Sequence, residues 1–193
     1  KRELLADKLA ELVIARGLTS FLDYYYLLRY GADADMHWSE LLDRLAVPET
    51  FFWRQPEQIL AVNVLAQRHA ATSPSLPFRI WSGACCSGEE PLSIAIALQE
   101  AGWYDRLDIQ IVASDVSAAL VSRARNGCFG ERAFRNLPSE LRNRYFKREA
   151  EGWLIDERIH RRVRWSTANL LDYQTVSTLA AAEVVFCRNV FLY

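Results

Sequence analysis

The stretch that decides the fold is Phe78–Leu98, FRIWSGACCSGEEPLSIAIAL. It passes from a short apolar strand through a turn of small residues into an apolar helix. Arg79-Ile80-Trp81 alternates as a buried strand does. Gly83 and Gly88 bracket the turn. Glu89-Glu90-Pro91 follow where a helix begins, since acidic side chains and proline both suit a helix's first turn. A strand, a tight turn and a helix in this order form the unit with which an open α/β sheet cradles a nucleotide-like ligand at its carboxyl edge.

The turn lacks the features that bind phosphate. It has no G-x-G-x-x-G and no Walker lysine, and two carboxylates follow it. Paired carboxylates repel phosphate, but they accept hydrogen bonds from ribose hydroxyls or an amino group and tolerate a nearby sulfonium. The pattern therefore points to S-adenosylmethionine (SAM) rather than NAD or ATP. A second apolar strand at about 108–113 runs into Ala113-Ser114-Asp115. An acid at that place, roughly 30 positions after the first strand, binds ribose hydroxyls in Rossmann-like domains.

Working outward, strand 78–82, helix 90–101, strand 108–113 and helix 117–125 alternate, and 182–187 reads as a further buried strand. This predicts an α/β fold with a mostly parallel sheet over 78–193. Residues 1–47 read instead as a small helical subdomain, with Gly17 ending one helix, Thr19 capping the next and Gly31 ending that one. Residues 48–77 form a connecting segment: Pro48 breaks the pattern, Thr50-Phe51-Phe52-Trp53-Arg54 follows, and a helix from about 56 to 70 leads to a Ser/Pro-rich linker. Between 127 and 165 the rhythm changes to a helix at 138–146 and alternating stretches at 153–156 and 159–165, which predicts a small antiparallel β insertion. Residues 121–165 carry twelve basic and six acidic side chains, a net +6 that suggests an acidic partner surface.

The bulk figures narrow the function classes. The formal net charge is −1, which gives no support for general nucleic-acid binding. No apolar run reaches the length of a membrane span. Cys85, Cys86, Cys128 and Cys187 form no C-x-x-C pair, so reduced thiols and a cytoplasmic setting are expected. His37, His69 and His160 are scattered and read as structural or exposed rather than as metal ligands. The chain opens on Lys1, which reads as a trimmed N-terminus.

Taken together, Thr50–Arg54, Ile80–Ser82 with Gly88-Glu89-Glu90-Pro91, Ala113-Ser114-Asp115, Asn169-Leu170-Leu171 and Phe186-Cys187-Arg188-Asn189-Val190 with Tyr193 resemble the CheR-type chemoreceptor glutamate methyltransferases. The resemblance runs in order along nearly the whole chain. It implies a Rossmann-like SAM methyltransferase sheet, a helical N-terminal subdomain and a small antiparallel β insertion, with transfer of a methyl group from SAM to receptor glutamates. The implied partner is the chemoreceptor's cytoplasmic coiled coil, and the implied state is a monomer in the cytoplasm, without membrane insertion. Family members continue past the position of Tyr193, so a C-terminal truncation is also implied. Trp53 stands where the family has phenylalanine, Leu92 where tyrosine is common, and the loop 147–153 is shorter than in members that bind a receptor's C-terminal pentapeptide.

By the same resemblance, Glu90 contacts the cofactor's charged groups and Asp115 its hydroxyls. Thr50 and Arg54 close over the methionine end, and Arg54 pairs its carboxylate or orients the incoming glutamate. Asn169 and Leu170 hold the adenine, Arg188 and Asn189 lie beside the methionine moiety, and Tyr193 orients the acceptor carboxylate. The chemistry needs no nucleophilic residue and no metal. Two other readings stay open on the sequence: a SAM methyltransferase with a different acceptor, such as RNA or a small molecule, and a non-catalytic module that binds SAM or its product S-adenosylhomocysteine.

Overall fold

A computed structural model of the protein describes residues 2–45 and 49–190. The chain divides into two compact units, residues 1–47 and 48–193. The first is a bundle of α1 (Arg2–Ala15), α2 (Phe21–Tyr30) and α3 (Ala34–Leu45) around buried Leu12, Val13, Tyr24, Leu28 and Leu41. Gly17 takes a left-handed φ of 66°, ending α1, and its N–H turns back to Ile14 O. Ser20, not Thr19, caps α2: its hydroxyl oxygen accepts from Asp23 N at 3.1 Å. Both hydroxyls also donate to the Asp23 carboxylate, which is why the two positions are hard to separate by sequence.

The second unit opens with a strap (residues 49–55) and α4 (Pro56–Thr72), then builds an α/β sheet. β1 (Phe78–Gly83), β2 (Ile109–Asp115), β6 (Val163–Thr167) and β7 (Val184–Phe186) lie in the order β6-β2-β1-β7, and all neighbours are parallel. The register pairs Gly83 with Ser114 and Asp115 with Thr167, so the carboxyl ends of three strands finish side by side. α5 (Glu89–Glu100) is apolar on nearly every face after its first two residues, and Leu92, Ile94, Ile96 and Leu98 are fully buried. A helix without a polar face belongs in the middle of a core, and α5 packs between α4 and the sheet. α6 (Ala118–Asn126) follows β2, capped by Ser117, whose hydroxyl oxygen accepts from Leu120 N at 3.0 Å.

After α6 the chain forms the small antiparallel sheet, β3 (Cys128–Phe129), β4 (Phe146–Glu149) and β5 (Gly152–Ile155), in the order β3-β5-β4. α7 (Ser139–Tyr145) and the short α8 (Glu157–His160) accompany it. The expected insertion runs too far. Residues 163–167 are not part of the small sheet but the edge strand β6 of the central one, paired with β2. Val163 and Trp165 alternate as a strand of either sheet does, so the local pattern cannot assign the partner. The stretch 182–187, expected to be buried, is also corrected. Only Val184–Phe186 pair, and Val185 of that edge strand is 45% exposed. Arg79 fastens this strand to β1, its backbone N–H and guanidinium both reaching the Glu183 carboxylate at 2.7 and 2.8 Å. Among the described residues, no helix is long and apolar enough to cross a membrane.

A donor-type site at the carboxyl edge of the sheet

The turn after β1 is held in an unusual backbone form. Ala84 and Cys86 adopt left-handed φ values of 55° and 54°, and Gly88 adopts 97°. For residues with a Cβ this conformation costs about 1–2 kcal/mol each, and three bonds to the neighbouring strand and turn offset it. Cys85 N donates to Ser114 O (2.9 Å), Cys86 N to Asp115 Oδ2 (2.8 Å) and Gly88 N to Cys85 O (3.0 Å). Gly88 is required for space as well as for φ. A Cβ there would lie 2.8 Å from the Trp165 ring and 2.9 Å from Ala124 Cβ. At Gly83 a Cβ would lie 3.1 Å from the Trp81 ring and 3.6 Å from Leu170 Cδ2, so the loop after β6 sits directly against the end of β1.

Asp115, at the last position of β2, is buried. One carboxylate oxygen accepts from Cys86 N and the other from Ser117 N at 3.0 Å. Each oxygen keeps a lone pair for a further donor. The arrangement fixes an acceptor pair at the strand end without using it up.

Glu90 and Arg188 form the other half. Glu90 Oε1 accepts from Ser82 Oγ at 2.8 Å, and Oε2 accepts from Arg188 Nη1 at 3.0 Å. Burial pushes the Glu90 carboxyl above its ordinary value, and the charge of Arg188, the Ser82 hydroxyl and the charge of Arg54 draw it back. Arg188 Nη2 reaches across to Arg54 O at 2.6 Å and Gln55 Oε1 at 2.7 Å, while its Nε is buried with no hydrogen-bond partner among the described residues. Asn189 follows in a left-handed conformation with φ 59°. One arginine thus ties the first turn of α5 to the strap.

The strap itself is pinned at several points. Phe52 N donates to Ala133 O (2.8 Å) and Trp53 N to Ser93 Oγ (3.1 Å). The Phe52 ring is wholly buried among Phe129, Phe134 and Phe146, with centroids 4.8 to 5.3 Å away. Trp53 and Gln55 take left-handed φ values of 62° and 55°, which let the chain reverse over α5. Arg54 is half-buried, and its Nη1 donates to Glu49 O at 2.6 Å.

The structure therefore gathers Glu90, Asp115, Arg54 and Arg188 around one edge, with Leu170 against Gly83. Asn169 is exposed, and its amide oxygen accepts from Leu171 N at 2.9 Å. Thr50 lies on the opposite side of the α5 N-terminus, with Glu89. Tyr193 lies outside the described residues, as does Pro48. Sequence reasoning quoted Ser82 without a role and passed over Ser93 and Gln55; the three orient Glu90, Trp53 and Arg188. A serine inside an apolar helix, as at Ser93, is the one signal among them that sequence offers. Burial pushes the thiols of both turn cysteines up, Cys86 to about 11, which disfavours the thiolate that a nucleophile needs. His37, His69 and His160 each hydrogen-bond within the fold.

A parallel sheet whose carboxyl edge carries an acid at the end of the second strand and an acid–arginine pair after the first turn is consistent with a Rossmann-like SAM-binding methyltransferase. The chain belongs to the CheR methyltransferase family, whose SAM-binding domain matches residues 49–193. It is 38% identical to chemotaxis protein methyltransferase 2 of Vibrio cholerae, over 90% of this chain and 61% of that protein. To "Probable biofilm formation methyltransferase WspC" of Pseudomonas aeruginosa it is 36% identical, over 89% and 40%. To the chemotaxis protein methyltransferase of Escherichia coli the identity is 28%, over 100% and 66%. The chain spans less than two thirds of the first two relatives. SAM fits the residues present: carboxylate acceptors at buried Asp115 and half-buried Glu90 for hydroxyl and ammonium donors, and a buried guanidinium N–H of Arg188 without a hydrogen-bond partner among the described residues.

Proposed function

We propose that this chain is the catalytic part of a SAM-dependent protein-glutamate O-methyltransferase that modifies the cytoplasmic coiled coil of chemoreceptors. The observation that carries the reading is the Glu90–Arg188–strap network facing Asp115 across the turn. Asp115 accepts the ribose hydroxyls, and Glu90 accepts the ammonium of the methionine end. Leu170, with Asn169, covers the adenine, while Arg188 and Asn189 border the methionine moiety. Arg54 orients the acceptor carboxylate, and Tyr193 assists through its hydroxyl.

Bound SAM supplies an electrophilic methyl group on a sulfonium sulfur. The acceptor glutamate is already ionised at neutral pH, its reference pKa being about 4.3, so the chain has no proton to move. Its residues position the two reactants and exclude water. The guanidinium charges of Arg54 and Arg188 hold carboxylates. Folding the strap against α5 and the insertion gives this arrangement its rigidity.

The enzyme acts as a monomer in the cytoplasm. The relatives' names divide between chemotaxis and biofilm formation, so the receptor belongs to a chemosensory array of one of these two kinds. The test is transfer of a tritiated methyl group from SAM to a chemoreceptor cytoplasmic fragment. Label released as methanol by mild alkali is expected. Alkali-stable label, or label only on RNA or small molecules, overturns the assignment.

A further inference from the structure

A second cleft adjoins the donor-type site on the other side of the α5 N-terminus. Consecutive residues of that turn face different ways: the Glu90 carboxylate meets Ser82 and Arg188, whereas Glu89 meets Ser87, Thr50 and Arg123. Glu89 is one of the floor residues of a cleft of about 360 Å³, whose walls include Arg123, Arg132 and Arg135. These arginines come from the end of α6 and the turn after β3, and the strap closes the opposite wall through Thr50 and Glu49.

Of the twelve bases between 121 and 165, Arg142, Arg144, Lys147, Arg148 and Arg158 are matched to Glu131, Glu100, Glu149 and Asp156. Arg125 is held by Trp165 O, and Arg162 lies over the Tyr104 ring. The cleft arginines are differently placed. Arg132 makes no ion pair among the described residues, and Arg135 only a long one to Glu49 at 3.9 Å. Arg123 faces a carboxyl that burial pushes towards its neutral form. The link to the acceptor side is Phe51, whose ring carries the Arg135 guanidinium at 3.6 Å and that of Arg54 at 5.6 Å. A segment presented to Arg54 therefore passes these arginines.

We infer that this cleft is a specificity subsite for a second acidic side chain of the acceptor segment, one that flanks the methylated glutamate and is not itself modified. The inference rests on the protein-glutamate reading and names what that acceptor must carry. A neighbouring carboxylate supplies the acceptor oxygens that the guanidinium forks lack. The arginines are exposed, so the gain is moderate, salt-sensitive and felt in acceptor binding rather than in donor binding.

The test compares the full chain with its Arg132→Glu variant on two acceptors. One is a chemoreceptor cytoplasmic fragment with a single glutamate acceptor site and its native acidic neighbours. The other is the same fragment with the acidic residues within four positions changed to glutamine. On the native fragment the variant raises KM about threefold, while its affinity for S-adenosylhomocysteine, read by calorimetry, equals the parent's. On the glutamine fragment the parent already shows the raised KM and the variant adds little. Equal KM values for parent and variant on the native fragment overturn the subsite, as does the same loss on both fragments. Transfer of base-labile label with no dependence on neighbouring charge removes the subsite alone. Absence of transfer to either fragment removes the functional reading and the subsite with it.

Discussion

Glu90 and Arg188 lie 98 positions apart in sequence and meet at 3.0 Å, with the same guanidinium gripping the strap at Arg54 O and Gln55 Oε1. The pair joins the first turn of the central helix to the second residue after the edge strand β7, and so couples the ends of β1 and β7 to the segment that closes over them.

Removing one partner of this pair leaves the other buried and unmatched. Arg188→Ala is expected to cost about 3 kcal/mol of stability, at the lower end of the range for broken buried pairs because both side chains keep some exposure. Arg188→Lys recovers only part of it, since a single ammonium cannot serve Glu90 and the strap in one fork geometry. Urea denaturation of the three proteins measures the stability, and calorimetry with S-adenosylhomocysteine should show binding weakened in both variants.

Gly88→Ala should be destabilising by about 2–3 kcal/mol, because the left-handed φ of 97° and the 2.8 Å approach to Trp165 both oppose a side chain. Adding Trp165→Phe relieves the contact with the ring but neither the 2.9 Å approach to Ala124 Cβ nor the backbone strain. Partial recovery in the double variant, read from thermal midpoints, is the expected result.

Phe52→Ala removes a fully buried ring from the cluster with Phe129, Phe134 and Phe146. The expected loss is about 3–5 kcal/mol. If the strap depends on this anchor, proteolysis in the native state should cleave first within 49–55.

The pH dependence has a definite sign. Burial raises the Glu89 and Glu90 carboxyls above the ordinary value of 4.5, so the folded chain holds protons there that the unfolded chain has released. Their contribution to stability is full below 4.5 and is lost as pH rises through the raised values. Wild type should therefore lose stability relative to Glu89→Gln as pH goes from 4.5 towards neutrality. Glu183 works the other way. Its hydrogen bond from Arg79 leads the causes that lower it to about 2, so the stability it adds above 4.5 is lost as pH falls towards 2. Denaturant midpoints of Glu89→Gln and Glu183→Gln across pH 3 to 8 should therefore diverge from wild type in opposite directions.

What the sequence made legible was what local pattern controls. The strand–turn–helix at 78–98 and the strand ending at Asp115 have their periodicity and their punctuating glycines within a few residues. Glu90 and Asp115 could be singled out because each sits at the junction of two such elements. Pairing across distance was not legible. Val163 and Trp165 alternate correctly, yet only the backbone bonds to β2 show that they complete the central sheet. Glu89 and Glu90 look equivalent in sequence. The helical step of about 100° between neighbours separates them, but nothing local reports that one meets Arg188 and the other Arg123. The twelve bases of 121–165 likewise read as one patch until their ion pairs are drawn.

The most direct test of the site is a calorimetric titration of S-adenosylhomocysteine into the purified chain, with Glu90→Ala and Asp115→Ala in parallel. Binding in the parent that falls at least tenfold in each variant is the predicted result, a tenfold loss corresponding to about 1.4 kcal/mol. Binding undiminished in both variants, or absent from a folded parent, contradicts the placement of the cofactor between Glu90 and Asp115.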